Sequence, residues 1–182
     1  MSKVIVTPPA SYPVSLAEAK AQLRETSTDN DTYITALIAA ATDEAENYVW
    51  RRFVTQTWRL YCQFFGEIKI PYGSLQSVTS VKYYDSDDVQ QTLAATTYQV
   101  DINREPPIIR LAYGKSWPSI YSRDDAIEVE FVCGYTTVPE SIKYAILMKI
   151  ELLYGNLEAG EYRHYQRAYA DLLQPYTLMD FI

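Results

Sequence analysis

Between Trp58 and Tyr135 the apolar residues recur mostly at every second position, whereas on both sides they recur at every third or fourth. A period near 2 is that of a strand and a period near 3.6 that of a helix. The chain must therefore enclose a β block between helical segments. Within that block, Gln76–Leu93 (QSVTSVKYYDSDDVQQTL) reads as a hairpin. Its strand formers are Val78, Val81, Tyr83 and Tyr84, its turn is Asp85-Ser86-Asp87-Asp88, and its return arm is Val89–Leu93. The first arm alternates poorly, since Val78 and Val81 should point to opposite faces, which predicts a bulge or a strand covered on both sides.

The other strands follow from the same alternation. Trp58, Leu60, Cys62 and Phe64 alternate with Arg59, Tyr61 and Gln63. Ile68-Lys69-Ile70, Tyr98–Ile102 and Ile108–Leu111 are shorter. Ile127, Val129, Phe131, Cys133 and Tyr135 form the clearest strand, with Glu128 and Glu130 facing away. Tyr113–Asp125, with Gly114 and Trp117-Pro118, reads as a long surface loop of a length often used for function.

Before the β block, Met1–Tyr12 is an extended arm whose Val4-Ile5-Val6 could pair with a sheet edge. A short helix starts at Ser15, which has capping-box spacing to Glu18. A longer one runs from about Thr32 to Arg51 with Ile34, Leu37, Ile38, Ala41, Ala45, Tyr48 and Val49 on one face. Asp43, Glu44 and Glu46 are expected opposite, and Arg51 and Arg52 at the C-terminal end suit the helix dipole. After the block, Pro139 opens a helix over Ile142–Tyr154 whose apolar face is too wide for packing on one side only. Such a helix is central, or it is covered by another subunit. A last helix, about Glu158–Leu173, carries Tyr162, Tyr165, Tyr169 and Leu172 on one stripe. The tail QPYTLMDFI then places Leu178, Met179, Phe181 and Ile182 where they look exposed.

The fold class is α+β: a helical bundle, two N-terminal helices with the C-terminal ones, holding an inserted antiparallel β-sheet or sandwich. We divide the chain into an arm (1–13), a main domain (14–155) and a C-terminal helix and tail (156–182). Helices 15–51 and 139–154 and the β insertion 55–135 belong to the main domain.

Composition bears mainly on what is absent. A net charge of −7 argues against a sequence-independent grip on phosphates. No N-terminal stretch has the pattern of a signal peptide, and no apolar run reaches the roughly 18 residues of a membrane span. Cys62 and Cys133 fall inside apolar strand patterns and read as free, buried thiols, or as a disulfide if those strands are neighbours. Seventeen tyrosines fit either strand margins or interfaces between proteins.

Candidate chemistry is sparse. His164 is the only histidine and has no cysteine near it in sequence, so no zinc site is expected, and a Cys-His pair is not expected because Cys62 and Cys133 both read as buried. Asp85, Asp87 and Asp88 lack the further oxygen ligands of a cation loop. Glu128 and Glu130, roughly 7 Å apart by strand rise, could form a hydrolytic carboxylate pair, but alternating charge on a solvent face explains them more simply. Trp50-Arg51-Arg52-Phe53 is a short basic patch better explained by the helix end. There is no phosphate loop and no GxSxG elbow. We expect no enzyme, no cofactor and no metal.

In order along the chain stand a capped short helix, a long helix ending in an Arg pair, Gln56-Thr57-Trp58, VTSVKYYD, Trp117-Pro118, AIEVEFVCGY and VPESIKYAILMKIELLY. This series resembles the head–tail connector (adaptor) proteins of tailed phages over about residues 14–155. The resemblance implies a structural virion protein of the head–tail neck, assembled in the host cytoplasm into a closed ring of about twelve subunits. The ring would lie beneath the portal protein, extend the DNA channel without specific DNA binding, and receive the next neck (stopper) or tail protein. On that reading the tail residues Tyr176, Leu178, Met179, Phe181 and Ile182, with Arg163 and Arg167, dock on the portal. Leu147, Ile150, Tyr154, Trp117, Asp85 and Asp87 are candidates for the contact between subunits. The alternative is a monomeric, Tyr-rich β-sandwich that binds glycan or peptide through Trp117 and nearby loop tyrosines.

Overall fold

A computed structural model describes residues 1–155 and 159–178. The chain divides into two compact units. One is the β block, Thr55–Tyr135 with Met1–Ala10 and Leu178; the other is helical, Ser11–Val54 and Thr136–Thr177. The fold is α+β.

In the β unit the strands are β1 (Ser2–Thr7), β2 (Gln56–Cys62), β3 (Ile68–Lys69), β4 (Leu75–Tyr84), β5 (Gln90–Thr92), β6 (Tyr98–Asp101), β7 (Ile108–Leu111) and β8 (Ile127–Cys133). They form two antiparallel sheets, ordered β1-β2-β8-β4-β5 and β3-β7-β6. The N-terminal arm does add to a sheet edge: β1 pairs with β2 in the register Ile5 to Trp58. Strand β8 is central, which is why its alternation is the cleanest in the sequence. Its Ile127, Val129, Phe131 and Cys133 meet Leu60, Cys62, Leu75 and Val81 of the neighbouring strands, and Ile68 and Ile109 of the second sheet complete one core. Both β4 irregularities, between Leu75 and Ser77 and between Val78 and Ser80, are bulges against β8. The second one is why Val78 and Val81, three apart, both pack on the same core.

Two expectations need correction. Phe64 does not extend β2; the strand ends at Cys62 and Phe64 is exposed. Ile102 likewise lies past β6 and is exposed. Alternation alone does not show where the partner strand stops, and pairing ends a strand when its neighbour turns away.

The helical unit contains α1 (Leu16–Leu23), α2 (Asp31–Val49), α3 (Glu140–Tyr154) and α4 (Ala159–Leu173), followed by a 3₁₀ turn over Gln174–Tyr176. The Ser15 hydroxyl accepts from the Glu18 amide and the Glu18 carboxylate accepts from the Ser15 amide, so the predicted capping box forms. Helix α3 packs on α1, α2 and α4. Its wide apolar face is therefore used inside the unit: Ile142, Ala145, Ile146, Met148, Ile150 and Leu152 are all buried. Gly155 ends it in the left-handed conformation that glycine adopts without strain (φ 87°).

Candidate assembly surfaces

The Arg pair after α2 is not a surface feature. The helix ends at Val49, Trp50 turns left-handed (φ 56°), and the chain carries Arg51 and Arg52 inward, where both are buried. Arg52 Nη1 donates to Glu46 Oε2 at 2.7 Å, and the Phe53 amide donates to Glu46 Oε1, also at 2.7 Å. Arg51 Nε donates to the Tyr176 carbonyl. Glu46 is thus on the buried side of α2, against the expectation that it faces solvent with Asp43 and Glu44. Burial pushes its carboxyl above the usual carboxylate range, opposed by the Phe53 amide and by Arg52. The i, i+3, i+4 pattern could not reveal this, because the partner that admits a buried acid lies beyond the helix end. With both guanidinium groups engaged, Trp50–Phe53 offers no basic patch to a nucleic acid.

The acidic turn and the long loop form one tied structure. Asp85 is a scaffold residue: Oδ1 accepts from the Asp87 and Val89 amides at 3.1 and 3.0 Å, and Oδ2 accepts from Gln91 Nε2 at 2.8 Å. These bonds, Gln91 first, hold its carboxyl below the usual range. Asp87 is exposed at the tip. Arg123, from the loop, pairs with Asp88 at 2.9 Å and Asp125 at 2.6 Å and lies over the Tyr84 ring at 3.9 Å. Trp117 stacks on Phe65 with ring centroids 4.6 Å apart, and Phe65 meets the edge of Tyr83. The indole packs against the β core, so the free aromatic platform of a glycan or peptide reader is not formed by Trp117. Tyr113, by contrast, is fully exposed in the same loop.

The remaining interface candidates separate. Ile150 is 0% exposed and belongs to the interior, which corrects its assignment as a residue facing a neighbour. Leu147 is half-buried. Tyr154 is half-buried too, its hydroxyl donating to Glu25 at 3.1 Å and accepting from Asn30 at 3.3 Å. On the tail, Leu178 is 1% exposed, contrary to its expected exposure. Tyr176 is held through its carbonyl by Arg51 and through its hydroxyl by Ser141 at 2.7 Å. Met179, Phe181 and Ile182 lie outside the described residues. Arg163 and Arg167 stand exposed on α4, as does His164.

No group of three or more His, Cys, Asp or Glu side chains among the described residues is placed to hold a metal ion. Glu128 and Glu130 are occupied by Arg59, at 3.1 and 2.8 Å, with Lys82 4.0 Å from Glu128. They form a cross-strand charge ladder on the face of β8 opposite the core, not a hydrolytic pair. Cys62 and Cys133 sit on adjacent strands but at opposite ends of the register, Cys62 opposite Ile127 and Cys133 opposite Gln56. Neither is in a disulfide, both are buried, and burial pushes the Cys62 thiol up to about 11. No helix among the described residues is long and apolar enough to cross a membrane.

Sequence reasoning missed one exposed feature. Strand β1 is exposed along its whole length, with Val4, Ile5 and Val6 at 52, 40 and 42%. Beside it a cavity of about 340 Å³ is lined by Met1, Lys3, Leu60, Glu67, Lys69 and Pro71. The Val-Ile-Val run was the signal for the strand; nothing local showed that its outer edge pairs with no other strand among the described residues.

A family model described as phage gp6-like head-tail connector protein matches residues 13–105, just over half of the chain. No curated protein matches it. Among solved structures, the fold is similar to a chain in the neck of an empty GTA particle computed with C6 symmetry (TM-score 0.77, 17% identity). It is also similar to one in the neck of a native GTA particle computed with C12 symmetry (TM-score 0.72, 19% identity). A chain from the virion of a native gene transfer agent particle gives a TM-score of 0.77 at 17% identity. In each case all of this chain and 98% of the other are covered.

Proposed function

The chain belongs to the phage gp6-like head-tail connector family, and we propose that it is a structural protein of the virion neck that closes into a ring of about twelve copies beneath the portal. The observation that carries this reading is the match of its entire length to chains of particle necks, on top of the family match. The C6 and C12 symmetries of those necks support a cyclic assembly with head-to-tail contacts. The acid pairs are in keeping with a building part, since Glu128 and Glu130 already hold Arg59, and Glu46 holds Arg52 and a backbone amide.

In this reading the ring extends the DNA channel, and a net charge of −7 lets a polyanion pass without adhering. The next neck or tail protein binds the opposite end. Portal docking falls to the segment after Leu178, because Tyr176 and Leu178 are already engaged within the chain. Asp87, exposed in the acidic turn, and the half-buried Leu147 and Tyr154 remain candidates for contact with neighbours.

The test is a mass measurement of the purified chain alone and mixed with its portal ring, repeated on a chain truncated after Leu178. We expect a defined ring on the portal for the full chain and loss of attachment, with an unchanged melting curve, for the truncated one. Equal attachment of both would refute the tail assignment. A full chain that forms no ring in either setting would refute the neck reading.

A further inference from the structure

A closed ring of identical chains needs two different surfaces that fit each other, because each copy must present one to the neighbour ahead and the other to the neighbour behind. The helical unit has two outward helix faces of different character: the one on α2 carries acid without a basic residue of its own, and the one on α4 carries a pair of arginines. On α2 the exposed positions Ala36, Ala40, Asp43 and Asn47 lie in one line, four, three and four residues apart. Glu44 is exposed beside Asp43 and pairs with Lys149 of α3 at 2.6 Å. From Glu25 to Trp50 the sequence has no lysine or arginine at all, so α2 itself supplies only acid to this face. On α4 the exposed ridge carries Arg163 and Arg167, one helical turn apart, with His164 beside them; Asp171 follows exposed one turn further on, and Glu161 is exposed in the first turn. Neither arginine has an ion-pair partner among the described residues, and Asp43 has none either. Both helices pack on α3 and leave these faces to solvent.

Resting on the ring reading, we infer that the α4 ridge of one copy seats on the α2 face of the next, with Arg163 and Arg167 reaching Asp43. The geometry suits it. Ala36 and Ala40 leave room for a close approach, and ridges of residues four apart on one helix fit the grooves between such rows on another. The charges steer and orient the contact, and they disfavour a copy docking α2 against α2, where acid would face acid. This moves Arg163 and Arg167 from the portal to the neighbouring subunit.

Charge reversal tests it by sedimentation velocity over a concentration series. Asp43→Arg, and separately Arg163→Glu with Arg167→Glu, should each raise the concentration needed for ring formation at least about tenfold. All three changes in one chain restore opposite charges across every contact and should return it to within about threefold of wild type. Ala40→Trp, which blocks the face without changing charge, should abolish the ring while the melting temperature stays put. If the reversed chains assemble like wild type, or if the triple variant is no better than the single reversals, the two faces do not meet. A wild-type chain that forms no ring at any concentration, alone or on the portal, removes the ring reading and this contact together.

Discussion

Arg52 and Glu46 look in the sequence like an ordinary helix-end cation and a solvated acid, yet each is about one-tenth exposed in its side chain and they hold each other at 2.7 Å. Removing one partner of such a pair strands a buried charge, which typically costs more than the pair itself contributes. Arg52→Ala should therefore lower unfolding free energy by about 3 kcal/mol in urea titrations. It should leave retention on a DNA-cellulose column unchanged; a weaker retention with intact stability would return the Arg pair to a nucleic-acid role. Asp85 gives the pH-dependent case. Its folded pKa lies below the ordinary aspartate value of 3.8 because Gln91 and two backbone amides bind the carboxylate. The contribution of those bonds is thus fully present above about pH 4 and is lost as pH falls through the folded value. The Val89 amide signal should shift over that acidic window by NMR, and Asp85→Asn should flatten the titration.

Among the elements, α1 depends most on a local device. It is only eight residues long, and short helices are marginal without caps. Its reciprocal Ser15–Glu18 bonds satisfy donors that the helix cannot. Ser15→Ala should cost about 1 kcal/mol by denaturant unfolding, and an unchanged midpoint would mean that packing of Ala19 alone holds the helix. The hairpin shows a second kind of element. Its two strands and turn could be read from residue types, but the bulges that turn Val78 and Val81 to one side depend on the register with β8, a strand distant in sequence. Helix α3 shows a third. Its excess of apolar positions signalled a central or subunit-covered helix, and three helices of its own chain supply the cover.

For the molecule as a whole, the tail matters in two ways that the sequence merged into one. Leu173, Tyr176 and Leu178 are parts of the folded chain, and the portal contact proposed above is assigned to the segment after them. A chain cut after Leu173 should lose the Tyr176 contacts and the burial of Leu178 and melt several degrees lower; one cut after Leu178 should not, as differential scanning calorimetry would show. The sequence by itself determined the α+β class, the order of helices and strands, the Ser15 cap, the burial of both cysteines and the membership of the connector family. These follow from periodicity, cap chemistry and ordered short motifs, which are local. Only the tertiary structure decided that Glu46 and the Arg pair turn inward, that Cys62 and Cys133 stand too far apart along paired strands to bond, and that Ile150 and Leu178 are interior. Each of those outcomes is set by a partner distant in sequence or beyond the element's end, and burial is a property of what a residue meets rather than of the residue.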